Sequence, residues 1–244
     1  MDYSEIYDPD QDFDSYYSRA TVKVISNLVR IQDQVLELGC AKGLMTSFLA
    51  PRVAKIIAVE QSERYLISAQ SLNLSNVEYI HHNLDDGLPV DKFEPNFNFD
   101  QIIATNLLHE VSDPIRLLQS ISDVMSDQCL LHITIQNPQS LHRFLGHEMK
   151  IISDLRSLSD LGQKLGSHGL FDAMEVIDMA RDANLYCLFI RGIILKPFPN
   201  NMMKNLPTQI LDSLTDTALH FPLNSAMNYF VFTKGESNNK VAKI

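Results

Sequence analysis

The sequence has only three cysteines in 244 residues, Cys40, Cys129 and Cys187, and no two of them form a C-x-x-C pair. All three lie in apolar surroundings, so reduced, buried thiols and a cytoplasmic protein are expected rather than a disulfide framework. Basic residues are also few: 20 Lys and Arg stand against 30 Asp and Glu, a formal net charge of −10. No cluster of Lys and Arg is visible. That argues against nucleic acid as the main partner, since phosphate-backbone binding rests on such clusters. It leaves room for a local basic pocket that takes a small anion. Long apolar runs are missing as well. The most apolar late segment, residues 185–195, is interrupted by Arg191 and falls short of the ~20 residues that cross a bilayer. The N-terminus is acidic and tyrosine-rich, unlike a secretory signal. A soluble chain with no membrane partner is therefore expected. Its length allows a full core in one α/β domain, with or without an appendage. No internal repeat is present.

What is present is organised around residues 35–43, Val-Leu-Glu-Leu-Gly-Cys-Ala-Lys-Gly. An apolar run containing Glu37 leads to Gly39 and Gly43, and residues 44–50 resume with helical spacing, which predicts strand, glycine turn and helix. The glycines let backbone N–H groups approach a ligand closely, and the helix N-terminus adds partial positive charge. The dinucleotide fingerprint G-x-G-x-x-G is not met, because Ala41 and Leu44 stand at its second and third glycine positions. That disfavours a nicotinamide oxidoreductase. No P-loop is present either, since Lys42 precedes Gly43 instead of Lys-Ser/Thr following it. Residues 55–59 form a second buried strand ending at Glu60. A carboxylate there is placed to accept from both ribose hydroxyls; the plainer alternative is a neighbour of the next helix cap.

The rest of the pattern alternates. Asp14 or Ser15 is expected to cap a first helix and Ser62 to open another. Strands are expected at 77–80, 99–104, 129–135 and 185–195, helices at 115–125, 172–183 and 208–219, and a loop at 91–98. Residues 228–234 alternate and are β-rich. Such alternation predicts an α/β fold, a largely parallel sheet with helices on both faces.

Glu37-Leu-Gly39-Cys-Ala-Lys-Gly43, then Glu60, then Phe99-Asp100-Gln101-Ile102 together resemble class I S-adenosylmethionine-dependent methyltransferases over roughly residues 15–235. The resemblance implies a Rossmann-like seven-stranded sheet of order 3-2-1-4-5-7-6 with the last strand antiparallel, and S-adenosyl-L-methionine as cofactor. It implies that Glu37, Gly39, Cys40, Ala41 and Gly43 surround the cofactor, with Glu60 and Gln61 at its ribose. Asn83 and Leu84 fall at the adenine positions. The family more often has Asp where this chain has Asn83, and Asp85 is the alternative. Asn106 and Leu107 fall where the methyl donor sits. A segment before the first strand often covers the cofactor in this family, so residues 1–20 are expected to be a lid or tail, with Tyr16, Tyr17 and Arg19 as its contacts. The methyltransferase domain would then span 21–235 and a polar tail 236–244. The Asn/Asp-Pro-Pro-Tyr/Phe motif of amino-methyltransferases acting on adenine, cytosine or glutamine is absent. Asn137-Pro138 does not replace it, because it follows the fifth strand and not the fourth.

Residues 136–170 form an insertion before the sixth strand. Its N-P-x-S-L-H-R and G-x-H stretches, with K-P-x-x-N at 196–200, are similar to bacterial small-molecule methyltransferases of saccharide or secondary-metabolite pathways. A hydroxyl acceptor needs a base as it attacks, and a histidine suits that role. His142 is the first candidate, His168 and His109 the next, and Arg143 would hold an anionic group of the substrate. The expected activity is methyl transfer to a hydroxyl of a small polar metabolite. N-methyl transfer ranks second, and a catalytically silent partner protein on the same fold is the reading from a different class. No H-E-x-x-H or comparable spacing joins the histidines, so no metal is expected, and His81-His82 reads as solvated loop. The oligomeric state is left open.

Overall fold

The computed structural model describes residues 3–9, 13–94 and 97–235. Residues 1, 2 and 10–12 of the expected lid, Pro95 of the expected loop and the expected tail at 236–244 lie outside the described residues. The apolar runs become strands: β1 (Gln34–Leu38), β2 (Lys55–Glu60), β3 (Val77–His81), β4 (Gln101–Thr105), β5 (Leu130–Gln136), β6 (Leu185–Ile193) and β7 (Met227–Lys234). They form one sheet of order β3-β2-β1-β4-β5-β7-β6. The first five run parallel, and β7 is antiparallel to both of its neighbours. β1 is central, with Leu36 facing Ile57 on one side and Ile102 on the other. Parallel strands covered on both faces are apolar along their length, which is why Val-Leu and Ile-Ile runs mark them.

The helices are α1 (Asp14–Ile25), α2 (Leu44–Leu49), α3 (Glu63–Gln70), α4 (Pro114–Val124), α5 (Leu141–Glu148), α6 (Asp160–Leu165), α7 (Ala173–Asp182), α8 (Asn200–Met203) and α9 (Thr208–Thr217). Leu117, Leu118 and Ile121 of α4 and Val176 and Ala180 of α7 pack on one face of the sheet. Ile25 of α1, Leu49 of α2, Met203 of α8 and Leu211 of α9 pack on the other. Each fully buried side chain of this kind contributes ~1.5–3 kcal/mol.

Caps explain several helix starts. Ser62 accepts from the Tyr65 N–H, Asp113 accepts from the Arg116 N–H ahead of Pro114, and Asp172 forms a capping box with Glu175. The expected cap on α1 is corrected. Phe13 is the N-cap residue and gives no side-chain cap, while Asp14 is already helical and accepts the Tyr7 hydroxyl at 2.7 Å. Phe13 is buried and packs its ring against Tyr16 and Tyr17, so apolar anchoring fixes this end.

Other boundaries also move. β6 stops at Ile193, before a positive φ of 57° at Ile194. The last helix ends at Thr217 and tightens into a 3₁₀ turn over Ala218–His220, and the expected loop at 91–98 is entered through a 3₁₀ turn over Val90–Lys92. Cys40 and Cys129 are buried free thiols, whereas Cys187 is half-buried.

A polar chain runs through the sheet. His132 Nδ1 lies 2.6 Å from the Tyr229 hydroxyl, and Nε2 lies 2.8 Å from Gln101 Oε1. The amide oxygen can only accept, so Nε2 carries the proton and Nδ1 accepts from Tyr229. Gln101 Nε2 continues to Asp33 Oδ2 at 2.7 Å. Burial pushes His132 down to about 3, so it is neutral.

Candidate active site

A cavity of ≈ 480 Å³ opens at the carboxyl edge of the sheet. Ligands of open α/β sheets bind at that edge. The end of β1 brings Glu37, Gly39, Cys40 and Ala41 to its wall, and the end of β2 brings Glu60 and Gln61. Asn83, Leu84 and Asp85 enter after β3, Asn106 and Leu107 after β4, and Gln136 and Asn137 after β5. From the insertion come His142, Arg143 and a row of leucines.

The glycine turn is closely fitted. Gly43 has φ 81°, and a Cβ there would come within 2.9 Å of Leu72 Cδ1 and 3.1 Å of Ala69 Cβ. Only glycine meets both conditions, which brings α2 and α3 close together beside the cavity. Gly43 does not itself line the wall; it sets the turn that presents Gly39 to Ala41. Glu60, 2% exposed, accepts the Ala41 N–H at 2.9 Å and the Ser62 N–H at 2.8 Å, one on each oxygen. Glu37 accepts the Thr46 hydroxyl at 2.7 Å. Burial raises Glu37 to about 7, opposed by the Thr46 hydrogen bond and reinforced by Glu60. Burial also raises the Cys40 thiol, leaving it protonated.

Asn83 accepts the Asp85 N–H at 3.1 Å, and Asp85 accepts both the N–H and the hydroxyl of Ser112. Both residues reach the cavity wall while fixing local turns. Asn106 has φ 52°, its N–H is held by Thr134, and its side-chain Oδ1 is buried with no protein partner. A strained backbone with an orphan acceptor is costly and is typical of a ligand site.

The histidines separate. His142, in the first turn of α5, lines the cavity, and its Nδ1 is buried without a partner. Burial, then Lys196 and Arg143, push it down to about 3. His109 also lines the cavity and is pushed down to about 4 by burial. Its neighbour Glu110 keeps an exposed side chain, so the surrounding protein and then Glu60 act only to raise it above the usual carboxylate range. His168 is exposed and absent from the wall, and its backbone N–H donates to the His109 carbonyl at 2.9 Å. His81 and His82 each bond a loop carbonyl, those of Gln61 and Gly87. Among the described residues no group of three or more His, Cys, Asp or Glu could hold a metal ion. No helix among them is long and apolar enough to cross a membrane.

Tyr16 and Arg19 are placed elsewhere. With Lys23 they form one stripe of α1, facing a second cavity against α9, where the Tyr16 hydroxyl donates to Asp212 at 2.9 Å. Arg19 lies over the Phe48 ring at 5.5 Å. The stripe that does face the main cavity is Asp14, Tyr17 and Ser18, an i, i+3, i+4 set. Ahead of it, the Tyr65 hydroxyl donates to the Tyr7 carbonyl at 2.6 Å and Lys42 pairs with Asp8 at 2.6 Å. Arg143 donates Nε to the Leu155 carbonyl at 2.7 Å and a second N–H to the Ser157 carbonyl. Two of its five N–H groups are thus spent on holding the insertion.

Lys196 and Glu110 also line the wall and were not singled out from sequence. The one signal for Lys196 was its place in Lys-Pro-x-x-Asn, directly after an apolar strand.

A model of the family described as "Methyltransferase domain" matches residues 13–188, more than half of the chain. In sequence the chain is similar to rRNA adenine N-6-methyltransferase of Bacillus licheniformis, 29% identical over 90 residues, or 36% of this chain and 29% of that protein. The match thus spans under a third of the relative's length. Among solved structures, an S-adenosylmethionine-dependent methyltransferase of Mesorhizobium loti superposes with TM-score 0.60 at 12% identity, covering 88% of this chain and 98% of that one. One of Clostridium acetobutylicum superposes with TM-score 0.57 at 13% identity, covering 96% of each chain. These identities speak to the fold alone.

The residues present fit the cofactor. A buried carboxylate held at the end of β2, a glycine turn that admits no side chain and the orphan oxygen of Asn106 all meet in one cavity. The chain belongs to the methyltransferase-domain family, with a Rossmann-like sheet, and S-adenosylmethionine is its cofactor.

Proposed function

We propose that the protein moves a methyl group to a hydroxyl of a small polar metabolite, with His142 as the base. The observation that carries this reading is the buried, unpartnered Nδ1 of His142 in the wall that also holds Glu60 and Asn106. The bound cofactor supplies an activated methyl group on a sulfonium sulfur. The protein's own work is alignment, exclusion of water and proton removal.

Glu60, its carboxylate oriented by two backbone N–H groups at the end of β2, would accept from the ribose hydroxyls. Asn83 and Leu84 would border the adenine, with Asp85 as the alternative acceptor, and Asn106 and Leu107 would border the methyl donor. His142 is neutral at physiological pH, so its nitrogen can accept a proton. Burial, Lys196 and Arg143 also make it a weak base, and an anionic group on the acceptor would restore basicity as the oxygen attacks. His109, whose imidazole also lines the cavity and is held neutral by burial, is the next candidate for the base. Residues 3–9 and Tyr17 act as the cover over this end. Ties from Tyr65 to Tyr7 and from Lys42 to Asp8 support that role.

A small acceptor, rather than a nucleic acid, is supported by the net charge of −10 and by leucines from the insertion closing the outer wall. The test is to incubate the protein with ¹³C-methyl-labelled S-adenosylmethionine and a panel of hydroxylated and aminated metabolites. The expected outcome is a labelled methoxy carbon in the product. A labelled N-methyl carbon would replace this reading with the amine one. Cofactor binding without any transfer would point to a silent partner protein.

A further inference from the structure

Charge is divided within the cavity. Glu37 and Glu110 each feel the charge of Glu60, with Lys42 of the glycine turn paired to Asp8, whereas Lys196 and Arg143 act together on His142, with Asp14 as the carboxylate that attracts Lys196. Lys196 is 5% exposed and follows β6 closely. Its Nζ donates to Asn200 Oδ1 at 2.6 Å and lies 5.6 Å from the centre of the Tyr17 ring. Among the described residues no carboxylate forms an ion pair with it within 4.0 Å. Asp14, on the facing stripe of α1, attracts it from farther off and already accepts the Tyr7 hydroxyl. A buried ammonium in this state is poorly compensated, and burial accordingly lowers Lys196 to about 8. Arg143 is committed to the carbonyls of Leu155 and Ser157. Those two bonds fix the Arg143 plane on the insertion's backbone, whereas the Lys196 ammonium, with one N–H on Asn200, keeps two N–H donors that can turn toward a ligand. The same cavity is lined by apolar side chains, Leu158, Leu161, Leu165 and Leu170 from the insertion and Met227 from β7.

We infer that Lys196 is the anion-binding residue of the acceptor site and that the acceptor carries a carboxylate on an apolar body. This rests on the methyl-transfer reading above and deepens it. One ammonium balances a monoanion, whereas a phosphate dianion would leave a negative charge unmatched in a low-dielectric wall. The leucines and Met227 give the body of such a molecule apolar surface to cover. The same ion pair would also offset the positive field that Lys196 exerts on His142. The base would then gain basicity when the acceptor is in place.

The test uses the full chain saturated with S-adenosylhomocysteine. Salicylate, its neutral amide salicylamide, and phenyl phosphate are titrated by calorimetry and by ligand-observed NMR up to about 10 mM, where a single ion-paired contact should register. Salicylate is expected to bind about 10-fold to 100-fold more tightly than salicylamide, because the buried ammonium is left unpaired by the amide. Lys196→Met should erase that preference and Lys196→Arg retain part of it, with S-adenosylhomocysteine affinity nearly unchanged in both. Equal binding of salicylate and salicylamide, no salicylate binding, or a preference for phenyl phosphate would each overturn the assignment. None of these needs the variants to fold. If S-adenosylhomocysteine itself fails to bind, the methyl-transfer reading falls first. If it binds and the probes do not discriminate, only the carboxylate inference falls.

Discussion

The end of the cavity proposed for the cofactor hangs from β1, β2 and β4, strands buried almost throughout, whereas the end proposed for the acceptor is lined by α5 and α6, neither of which has a fully buried residue. At the first end the carboxylates are fixed by short-range bonds, both oxygens of Glu60 on backbone N–H groups and Glu37 on Thr46, and Asn106 Oδ1 is the exception left for the cofactor. At the second, among the described residues, His142 Nδ1 has no hydrogen-bond partner and Lys196 has no carboxylate within 4.0 Å. Groups already satisfied by the protein can hold a constant ligand without rearrangement. Groups left unsatisfied have their partner supplied by whatever binds. The difference teaches where variability belongs: a shared cofactor at the rigid end, and an individual acceptor at the loosely packed one.

Several experiments break or sharpen that division. The largest effect is expected from His142→Ala, which should lower turnover about 10²-fold to 10⁴-fold if the imidazole is the base. Steady-state kinetics on the acceptor found by the labelling screen would measure it, and a loss below about 10-fold would remove His142 from the proton transfer.

Gly43→Val strikes the other end. It forces a β-branched residue into φ 81° and places Cβ within 2.9 Å of Leu72. Destabilisation of about 2–4 kcal/mol is expected in denaturant titrations, combining backbone strain with overpacking. An unaffected midpoint would mean that the turn is looser than its geometry indicates.

His132→Gln is expected to be milder and to depend on pH. The folded protein holds His132 neutral down to about 3, while the unfolded imidazole charges near 6.5. As pH falls through that window the unfolded chain binds more protons, so stability is lost toward acid; above 6.5 the group adds no slope. The variant should therefore show a shallower fall of Tm below pH 6.5, together with a loss of about 1–3 kcal/mol at neutral pH from unpaired Tyr229 and Gln101. A wild-type profile flat from pH 6.5 to 4 would contradict the neutral, buried imidazole.

The smallest effects separate the two stripes of α1. Tyr16→Phe and Arg19→Ala should leave S-adenosylhomocysteine affinity within about 0.5 kcal/mol of the wild type, as surface changes usually do. Tyr17→Ala should weaken it, and added S-adenosylhomocysteine should protect residues 3–9 from protease in the wild type. Equal loss from Tyr16 and Tyr17 would place both stripes on the ligand.

Residues whose role is local were legible in the sequence. Glu37, Gly39 and Gly43 announce a strand and a turn because φ and apolar patterning are properties of a few consecutive residues, and Glu60 closes the next strand. The sheet order came with the family resemblance rather than from pattern. Roles set across the fold were not legible. Tyr16 and Tyr17 are adjacent in the chain, yet helical geometry sends them to different cavities. Arg143 looked like a free cation because nothing local shows that the carbonyls of residues 155 and 157 return to it. Lys196 gave no sign of being buried, since its burial depends on the insertion, on α1 and on α8 meeting at one place.

The division of the cavity is tested most directly by calorimetric titration of S-adenosylhomocysteine into the wild type, Glu60→Ala and His142→Ala. The wild type should bind one equivalent, and Glu60→Ala should lose about 1–3 kcal/mol of binding through lost charge-assisted hydrogen bonds. His142→Ala should bind nearly as the wild type does. The account is contradicted if the wild type does not bind, or if His142→Ala loses affinity while Glu60→Ala keeps it.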